Sequence, residues 1–244
     1  MKPLAKKPTK LAIFDIDGTI FRSSLMIELI NQLVASGTFP VKAKKEMETD
    51  YLAWLDRKGS YENYLWQVIK IFAKYIPGCG KRDFDRAVGR VISAHKDRVY
   101  RYTRDLVRDL KKQGYFLITI SGSPAEIVTP FSRSLKFNKS FGRIFEVKRE
   151  KFTGKFLNAK LLDQRKDLII KQFVKETGLK VDWKNSIAVG DTETDIPLLR
   201  SVGRPIAFNP NNSLVRVAKR RGWTIVVERK DVIYTLQKFS FKNR

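Results

Sequence analysis

LAIFDIDGT, residues 11–19, decides the fold of this chain of 244 residues. The four apolar residues at its start are typical of a buried strand. Two carboxylates, Asp15 and Asp17, follow the strand directly, and Gly18 permits a sharp turn away from it. Because ligands bind at the carboxyl ends of the strands in an open α/β sheet, the stretch predicts a site at this point.

Asp15 and Asp17 are two residues apart, so in extended backbone their side chains point to the same side. Two carboxylates held together repel each other, which raises the pKa of one of them unless a cation neutralises the pair. They therefore either bind a metal or divide the roles of nucleophile and acid. The alternative is a turn in which Asp and Gly serve only the backbone geometry.

A second apolar run, residues 115–120, ends in Ser121, Gly122, Ser123 and Pro124. Its length and β-branched content favour a buried strand. The hydroxyl of Ser121 and the N–H of Gly122 can both donate to a phosphate oxygen, and Pro124 is well placed to open a helix. Taken alone, the segment is also an ordinary turn between a strand and a helix.

Carboxylates cluster again in residues 190–195, directly after the strand-like residues 186–189. Asp191 is placed to share a cation with Asp15, because magnesium takes oxygen ligands and usually keeps several waters. Asp195 can hold one of those waters. It can also cap the following helix, and the two roles are compatible.

Lys166 lies near the start of a predicted amphipathic helix over residues 163–174. A lysine at this place can neutralise a phosphate and the carboxylates. In a chain so rich in lysine, a solvated surface position is the alternative. Only the order of Lys166 among the other segments singles it out.

The four segments resemble the motifs of the haloacid dehalogenase-like hydrolases, both in their residues and in their order. That order is Asp-x-Asp-Gly-Thr, a serine after a strand, a lysine, and Gly-Asp-x-x-x-Asp. The resemblance runs from residue 11 to about residue 227. It implies an α/β fold with a doubly wound, mostly parallel, Rossmann-like sheet in a three-layer α/β/α arrangement.

The resemblance also implies a mechanism. Asp15 would be the nucleophile that forms an aspartyl-phosphate, and Asp17 would be the general acid. Ser121, Gly122 and Lys166 would bind the transferring phosphoryl group, whose equatorial oxygens need neutralisation. The implied cofactor is Mg²⁺, held by Asp15, the main-chain carbonyl of Asp17, Asp191 and, as outer support, Asp195.

Residues 25–102 show apolar stripes at helical spacing and predict a helical cap domain inserted after the first strand. An insertion at this point is similar to the phosphoserine-phosphatase-like subfamily, subfamily IB. The predicted domains are a catalytic core, residues 1–24 and 103–244, and the cap, residues 25–102. Alternating apolar residues in 141–156 predict a β-hairpin at the edge of the core.

The residue counts exclude several classes of site. Cys79 is the only cysteine and His95 the only histidine. An internal disulfide and a thiolate metal cluster within one chain are thereby excluded, and the single histidine argues against multi-histidine zinc sites. The remaining chemistry rests on carboxylates, hydroxyls and lysine.

Of all the features of the chain, its net charge is the one that fits a small-molecule enzyme least well. Lys and Arg total 49 against 25 Asp and Glu, which gives a net charge of +24. Such an excess is typical of proteins that meet polyanions. The basic residues are dispersed along the sequence, however, and no known nucleic-acid motif is present.

The motifs and their resemblance to the family predict a magnesium-dependent phosphatase that hydrolyses a small phosphomonoester. An acid at the position of Asp17 favours rapid hydrolysis. The alternative is a nucleic-acid-associated protein, either a polynucleotide end phosphatase or a polyanion-binding module on the same fold. The apolar runs are shorter than the ~20 residues that span a bilayer. The lysine-rich start leads into a strand interrupted by Asp15, unlike a signal peptide. We therefore expect a cytoplasmic protein that does not engage a membrane.

Overall fold

The computed structural model describes residues 8–236. The outermost parts of the predicted core, residues 1–7 and 237–244, lie outside the described residues. A seven-stranded sheet has the order β3-β2-β1-β6-β7-β8-β9. Its strands are β1 (Leu11–Phe14), β2 (Phe116–Pro124), β3 (Lys139–Arg143), β6 (Ile187–Gly190), β7 (Arg204–Phe208), β8 (Thr224–Arg229) and β9 (Val232–Leu236).

All neighbouring pairs from β3 to β8 are parallel, and only β9 at the far edge is antiparallel. Both faces of the sheet are covered. Leu11 and Ile13 of β1 pack into one apolar cluster, whereas Ala12 and Phe14 pack into another on the opposite face. A strand buried on both faces reads as a continuous apolar run. The predicted α/β class with a mostly parallel sheet is confirmed.

Five helices connect β1 to β2. They are α1 (Leu25–Ala35), α2 (Val41–Leu55), α3 (Tyr61–Tyr75), α4 (Lys81–His95) and α5 (Arg101–Lys112). The first four occupy most of the stretch that the sequence assigns to a cap. The division into a core and a cap stays a prediction.

The second half of the chain follows the pattern of alternating strands and helices. Its helices are α6 (Ala125–Ser134), α7 (Ala159–Gln164), α8 (Lys166–Thr177), a 3-10 turn (Glu193–Asp195), α9 (Ile196–Leu199) and α10 (Asn212–Arg221). No helix within residues 8–236 is long and apolar enough to cross a membrane.

Two local expectations differ from the structure. The hairpin consists of β4 (Phe145–Lys148) and β5 (Lys151–Phe156), whereas residues 141–143 belong to β3, because they pair in parallel with β2. The predicted helix over residues 163–174 is broken at Arg165, whose φ of −142° is not helical. The break separates α7 from α8 and places Lys166 at the first position of a new helix.

Candidate active site

The predicted site residues meet because three strands run in the same direction. Phe14 of β1 lies opposite Thr119 of β2 and Val189 of β6. The residues that follow these positions, Asp15 and Asp191 among them, therefore emerge at one edge of the sheet. The backbone N–H of Asp15 still donates to the Val189 carbonyl at 2.9 Å, which fixes where its side chain begins.

Lys166 ties two of the carboxylates together from the start of α8. Its Nζ donates to Asp15 Oδ1 and to Asp195 Oδ1, both at 2.7 Å, and its side chain is buried. Burial alone would lower the pKa of Lys166, but the two carboxylates together raise it above its ordinary value. The ammonium therefore stays charged at any working pH. The surface alternative for this lysine is wrong.

Three buried carboxylates form the centre of the site. Asp15, Asp191 and Asp195 each offer an oxygen, and these atoms all lie within 4.8 Å of one another. Burial, followed by the charges of the neighbouring carboxylates, raises the pKa of Asp191 well above its ordinary value. The pKa of Asp15 is raised mainly by burial, although Lys166 opposes the shift.

The triad fits a hard divalent cation. Among the described residues, Lys166 is the only cation that forms an ion pair with these three carboxylates. Three negative charges against one positive charge leave a surplus that is costly in a buried place. Magnesium prefers oxygen ligands of this kind. The group therefore has the chemistry of a metal site.

Backbone and hydroxyl donors orient the side chains of Asp191 and Asp195. Asp195 Oδ2 accepts the N–H groups of Asp191 and Thr192 at 3.0 and 3.1 Å, so Asp195 closes the 3-10 turn that follows β6 in a capping box with Thr192. Its side chain makes no capping hydrogen bond to the following helix α9, so the predicted capping of that helix is wrong, because both backbone donors lie before Asp195 in the chain. Thr19 Oγ1 donates to Asp191 Oδ1 at 2.9 Å. Each carboxylate is thus held in one direction before any ligand arrives.

Gly18 is required by the same geometry. Its φ of +80° lies in the left-handed region, and a Cβ atom built on it would overlap the Asp191 carboxylate. Any other residue would therefore be strained and would displace a member of the triad. The glycine in the first motif serves the site as well as the turn.

Asp17 points to a different set of partners. Its Oδ2 accepts hydrogen bonds from Ser121 Oγ at 2.6 Å and from Ser123 Oγ at 2.8 Å. Its Oδ1 accepts the backbone N–H of Leu25, the first residue of α1, at 2.5 Å. The side chain of Asp17 therefore links β2 to the first inserted helix and does not join the triad. This arrangement leaves only its main-chain carbonyl for the predicted metal role.

The carboxyl end of β2 holds two predicted phosphate donors and one residue that the sequence analysis missed, because the strand continues to Pro124 where the sequence predicted a turn after residue 120. Ser121 is fully buried and accepts the backbone N–H of Ser123 at 2.9 Å. Gly122 lines the cavity above the site. Ser123 also accepts the N–H of Met26 at 3.1 Å, so it joins β2 to α1. Its only sequence signal was its place two residues after Ser121.

Arg143 is the second residue that sequence reasoning missed. It is 1% exposed, its Nε donates to the Gly122 carbonyl at 2.9 Å, and its guanidinium pairs with Asp163 at 2.5 Å. These contacts hold the Gly122 peptide in place, and Arg143 and Asp163 line the same cavity as Gly122. A sequence signal for this role is lacking, because Arg143 is one of many basic residues and its partners lie in other elements.

A cavity of about 810 Å³ opens above the carboxylates. One wall holds Asp15, Asp17 and Lys166, and the opposite wall comes from α3. The α3 side chains that line it are Tyr61, Glu62, Leu65, Trp66, Val68 and Ile69. Burial, together with the charges of Asp191 and Asp17, raises the pKa of Tyr61, so its hydroxyl stays protonated.

A family model described as haloacid dehalogenase-like hydrolase matches residues 12–200. Among curated proteins, the chain is 24% identical over 230 residues to phosphoserine phosphatase SerB1 of Mycobacterium tuberculosis, covering 89% of this chain and 70% of that protein. It is 23% identical over 203 residues to a phosphoserine phosphatase of Methanocaldococcus jannaschii, covering 83% of this chain and 87% of the relative.

Solved structures share the fold. A protein of unknown function from Bordetella pertussis superposes with a TM-score of 0.70 at 19% identity, covering 89% of this chain and 98% of that one. A phosphoserine phosphatase solved as an analogue of its phospho-aspartyl intermediate gives a TM-score of 0.62 at 21% identity, covering 92% and 96%. At these identities the likeness shows the fold alone.

Proposed function

The chain belongs to the haloacid dehalogenase-like hydrolases, and from that membership we propose a magnesium-dependent phosphatase that hydrolyses a small phosphomonoester through an aspartyl-phosphate on Asp15. One observation carries the proposal. Lys166 Nζ lies 2.7 Å from Asp15 Oδ1, inside a buried carboxylate triad and beneath an open cavity. A nucleophile, a fixed positive charge and room for a substrate thus occupy the same place.

In the first step, an oxygen of Asp15 attacks phosphorus, an Asp15–phosphorus bond forms, and the bond to the leaving alcohol breaks. Asp17 gives its proton to the alcohol oxygen. In the second step, water attacks phosphorus and gives a proton back to Asp17, and the bond to Asp15 breaks to release phosphate. The acid of the first step is therefore the base of the second.

The phosphoryl oxygens need donors in the transition state. Lys166 supplies a charged donor, Ser121 a hydroxyl and Gly122 a backbone N–H. Ser121 now donates to Asp17 at 2.6 Å, so it must turn from this carboxylate to the substrate. That rotation would leave Ser123 Oγ as the remaining hydroxyl donor to Asp17 Oδ2, at 2.8 Å, so phosphate binding would change the hydrogen bonding of the proposed acid.

Asp15, the main-chain carbonyl of Asp17 and Asp191 would hold the magnesium ion, with Asp195 as outer support. The ion supplies charge neutralisation at the phosphoryl oxygens and at the carboxylates. Without such a cation, burial holds the pKa of Asp15 well above its ordinary value. The nucleophile is ionised more readily once the surplus charge of the triad is compensated.

Residues 25–102 would act as the cap that excludes water and reads the leaving alcohol. Two contacts support this role. Tyr61 and Trp66 of α3 line the cavity above the carboxylates, and α1 begins at a hydrogen bond to Asp17. Movement of α1 would therefore change the hydrogen bonding of Asp17, the proposed general acid. We also propose that the protein is cytoplasmic.

The test is phosphate release from a panel of phosphomonoesters that includes phosphoserine, histidinol phosphate, sugar phosphates, nucleotides and phosphocholine. Each assay is run with magnesium and with excess chelator. Asp15→Asn is the inactive variant, and Asp97→Asn, at an exposed position, is the matched control. We expect turnover that needs magnesium, survives in Asp97→Asn and is lost in Asp15→Asn. Turnover near the wild-type rate in Asp15→Asn would contradict the nucleophile assignment.

A further inference from the structure

Basic residues precede every parallel strand of the sheet. They are Lys10 before β1, Lys111 and Lys112 before β2, Lys136 before β3, Lys180 and Lys184 before β6, Arg200 before β7, and Arg220 and Arg221 before β8. All of them except the half-buried Lys10 are exposed. Because the strands are parallel, their amino ends share one edge, which we call the basic edge. The dispersed charge of the sequence is thus gathered by the topology.

The catalytic carboxylates lie at the opposite, carboxyl edge. The separation is sharpest in residues 196–227, which contain six basic residues and no Asp or Glu. Within the described part of the chain, Arg200, Arg204, Arg220 and Arg221 form no ion pair. Arg204 donates to the Tyr115 hydroxyl at 3.1 Å, which gives it a structural contact. Like charges at Arg200, Arg220 and Arg221 repel each other, which costs stability and favours a function for these residues.

Helix dipoles explain only part of the pattern. The carboxyl end of a helix favours cations, which accounts for Lys111 and Lys112 at the end of α5 and for Arg220 and Arg221 at the end of α10. Lys184 follows no helix end, and neither does Lys10, which precedes β1 directly. The basic edge therefore exceeds what the helices require.

The basic edge also carries an aromatic surface. Two adjoining cavities of about 860 and 1250 Å³ share Arg200, Arg221 and Trp223, and Trp223 is half-buried between them. A positively charged groove with an aromatic ring is the arrangement that binds single strands, in which phosphates meet cations and a base stacks on the ring. The five spacings from β3 to β8 give an edge of about 24 Å at about 4.8 Å each.

We propose that the basic edge binds single-stranded nucleic acid, with phosphates along the arginines and a base against Trp223. This site lies at the opposite edge of the sheet from Asp15 and is independent of the phosphatase reaction. It differs from a polynucleotide end phosphatase, in which the strand would have to enter the acidic carboxyl edge.

The test measures fluorescence anisotropy of labelled RNA and DNA single strands of about 16 nucleotides at several salt concentrations. The first variant is Arg200→Ser/Arg220→Ser/Arg221→Ser. The matched control, Lys42→Ser/Arg82→Ser/Arg90→Ser, removes the same charge from exposed positions on α2 and α4. We expect the arginine variant to weaken binding at least about tenfold and to reduce the slope of log K against log salt by about 2, since each single-strand phosphate contributes about 0.7. The control should bind within about twofold of the wild type.

Trp223→Leu should weaken binding about tenfold with an unchanged salt slope, because stacking releases no counterions; circular dichroism checks its fold. Equal losses in both triple variants would overturn the proposal in favour of a general charge effect. Tighter binding of duplex DNA, or binding of inorganic polyphosphate that equals that of the single strand, would also overturn it. So would the absence of saturable binding at about 0.15 M salt. Phosphate release is measured on the same proteins and should not change, so failure of either proposal is seen separately.

Discussion

Lys166 Nζ lies 2.7 Å from Asp15 Oδ1, although 151 residues separate the two in sequence. The lysine is the first residue of α8 and the aspartate follows β1, so the pair exists only because these elements meet at one edge of the sheet. The contact is buried on both sides. If the proposed mechanism holds, removal of this charge affects both the reaction and the stability of the fold.

Lys166→Met keeps most of the side-chain volume and removes the charge. We expect kcat/KM to fall by roughly a thousandfold or more, because a charged contact to the transition state is lost. The free energy of unfolding should fall by about 3 kcal/mol, since Asp15 and Asp195 are left without their partner. Steady-state kinetics and denaturant unfolding measure the two effects. Lys175→Met, exposed on the same helix, is the control, and normal turnover in Lys166→Met would remove this lysine from the mechanism.

Ser121 and Ser123 both donate to Asp17 Oδ2, but only Ser121 is proposed to bind phosphate. We expect Ser121→Ala to lower kcat about a hundredfold and to weaken inhibition by inorganic phosphate. Ser123→Ala should lower kcat about tenfold through the position of Asp17, and inhibition by phosphate should stay unchanged. Inhibition constants for phosphate separate the two roles. Equal loss of phosphate inhibition in both variants would place Ser123 among the phosphate donors.

Cys79 gives a test of burial that does not depend on activity. Burial raises the pKa of the Cys79 thiol to about 11, and the residue is 8% exposed. A thiol with a raised pKa stays protonated as the pH rises through the range in which an ordinary thiol ionises. At about pH 8 we expect alkylation by iodoacetamide to be roughly a hundredfold slower in the native protein than in denaturant. Equal rates would show that the segment between α3 and α4 opens readily.

The sequence predicted which residues meet at the candidate site for a physical reason. Asp15 and Asp191 each follow an apolar strand, Ser121 lies near the carboxyl end of another, and parallel strands bring their carboxyl ends together. Local patterns therefore carried long-range information. Lys166 lies at the start of a helix and not at the end of a strand, and only the order of the motifs distinguished it from other lysines.

The features that the sequence did not predict depend on contacts between distant elements. Arg143 is buried because Asp163 neutralises it and the Gly122 carbonyl accepts from it, and neither partner is indicated by the local sequence. The break at Arg165 interrupts a continuous helical pattern. The basic edge was missed for a related reason, since its members are far apart in sequence and only the strand order makes them neighbours.

Gly18→Ala tests how closely the first motif approaches Asp191. The added Cβ atom would overlap the Asp191 carboxylate, and the φ of +80° would be strained for alanine. We expect activity to fall at least about tenfold and the magnesium concentration for half-maximal activity to rise. Gly37→Ala is the matched control, because its φ is +75° but no atom lies within 4 Å of an added Cβ atom. If both variants lose activity equally, backbone strain and not the carboxylate explains the effect.

Asp191→Asn distinguishes the contribution of Asp191 to metal binding from its effect on the stability of the fold. Burial and the charges of Asp15 and Asp195 raise the pKa of Asp191, so the metal-free site is destabilised by its own surplus charge. Asparagine keeps an oxygen that can accept from Thr19 and removes one charge. We expect the metal-free variant to melt at or above the wild-type temperature and to gain nothing from magnesium, whereas the wild type should gain about 2.7 kcal/mol at a hundredfold excess over Kd. Thermal unfolding with and without the ion measures both, with Asp97→Asn as control. A full magnesium shift in Asp191→Asn would place the metal elsewhere.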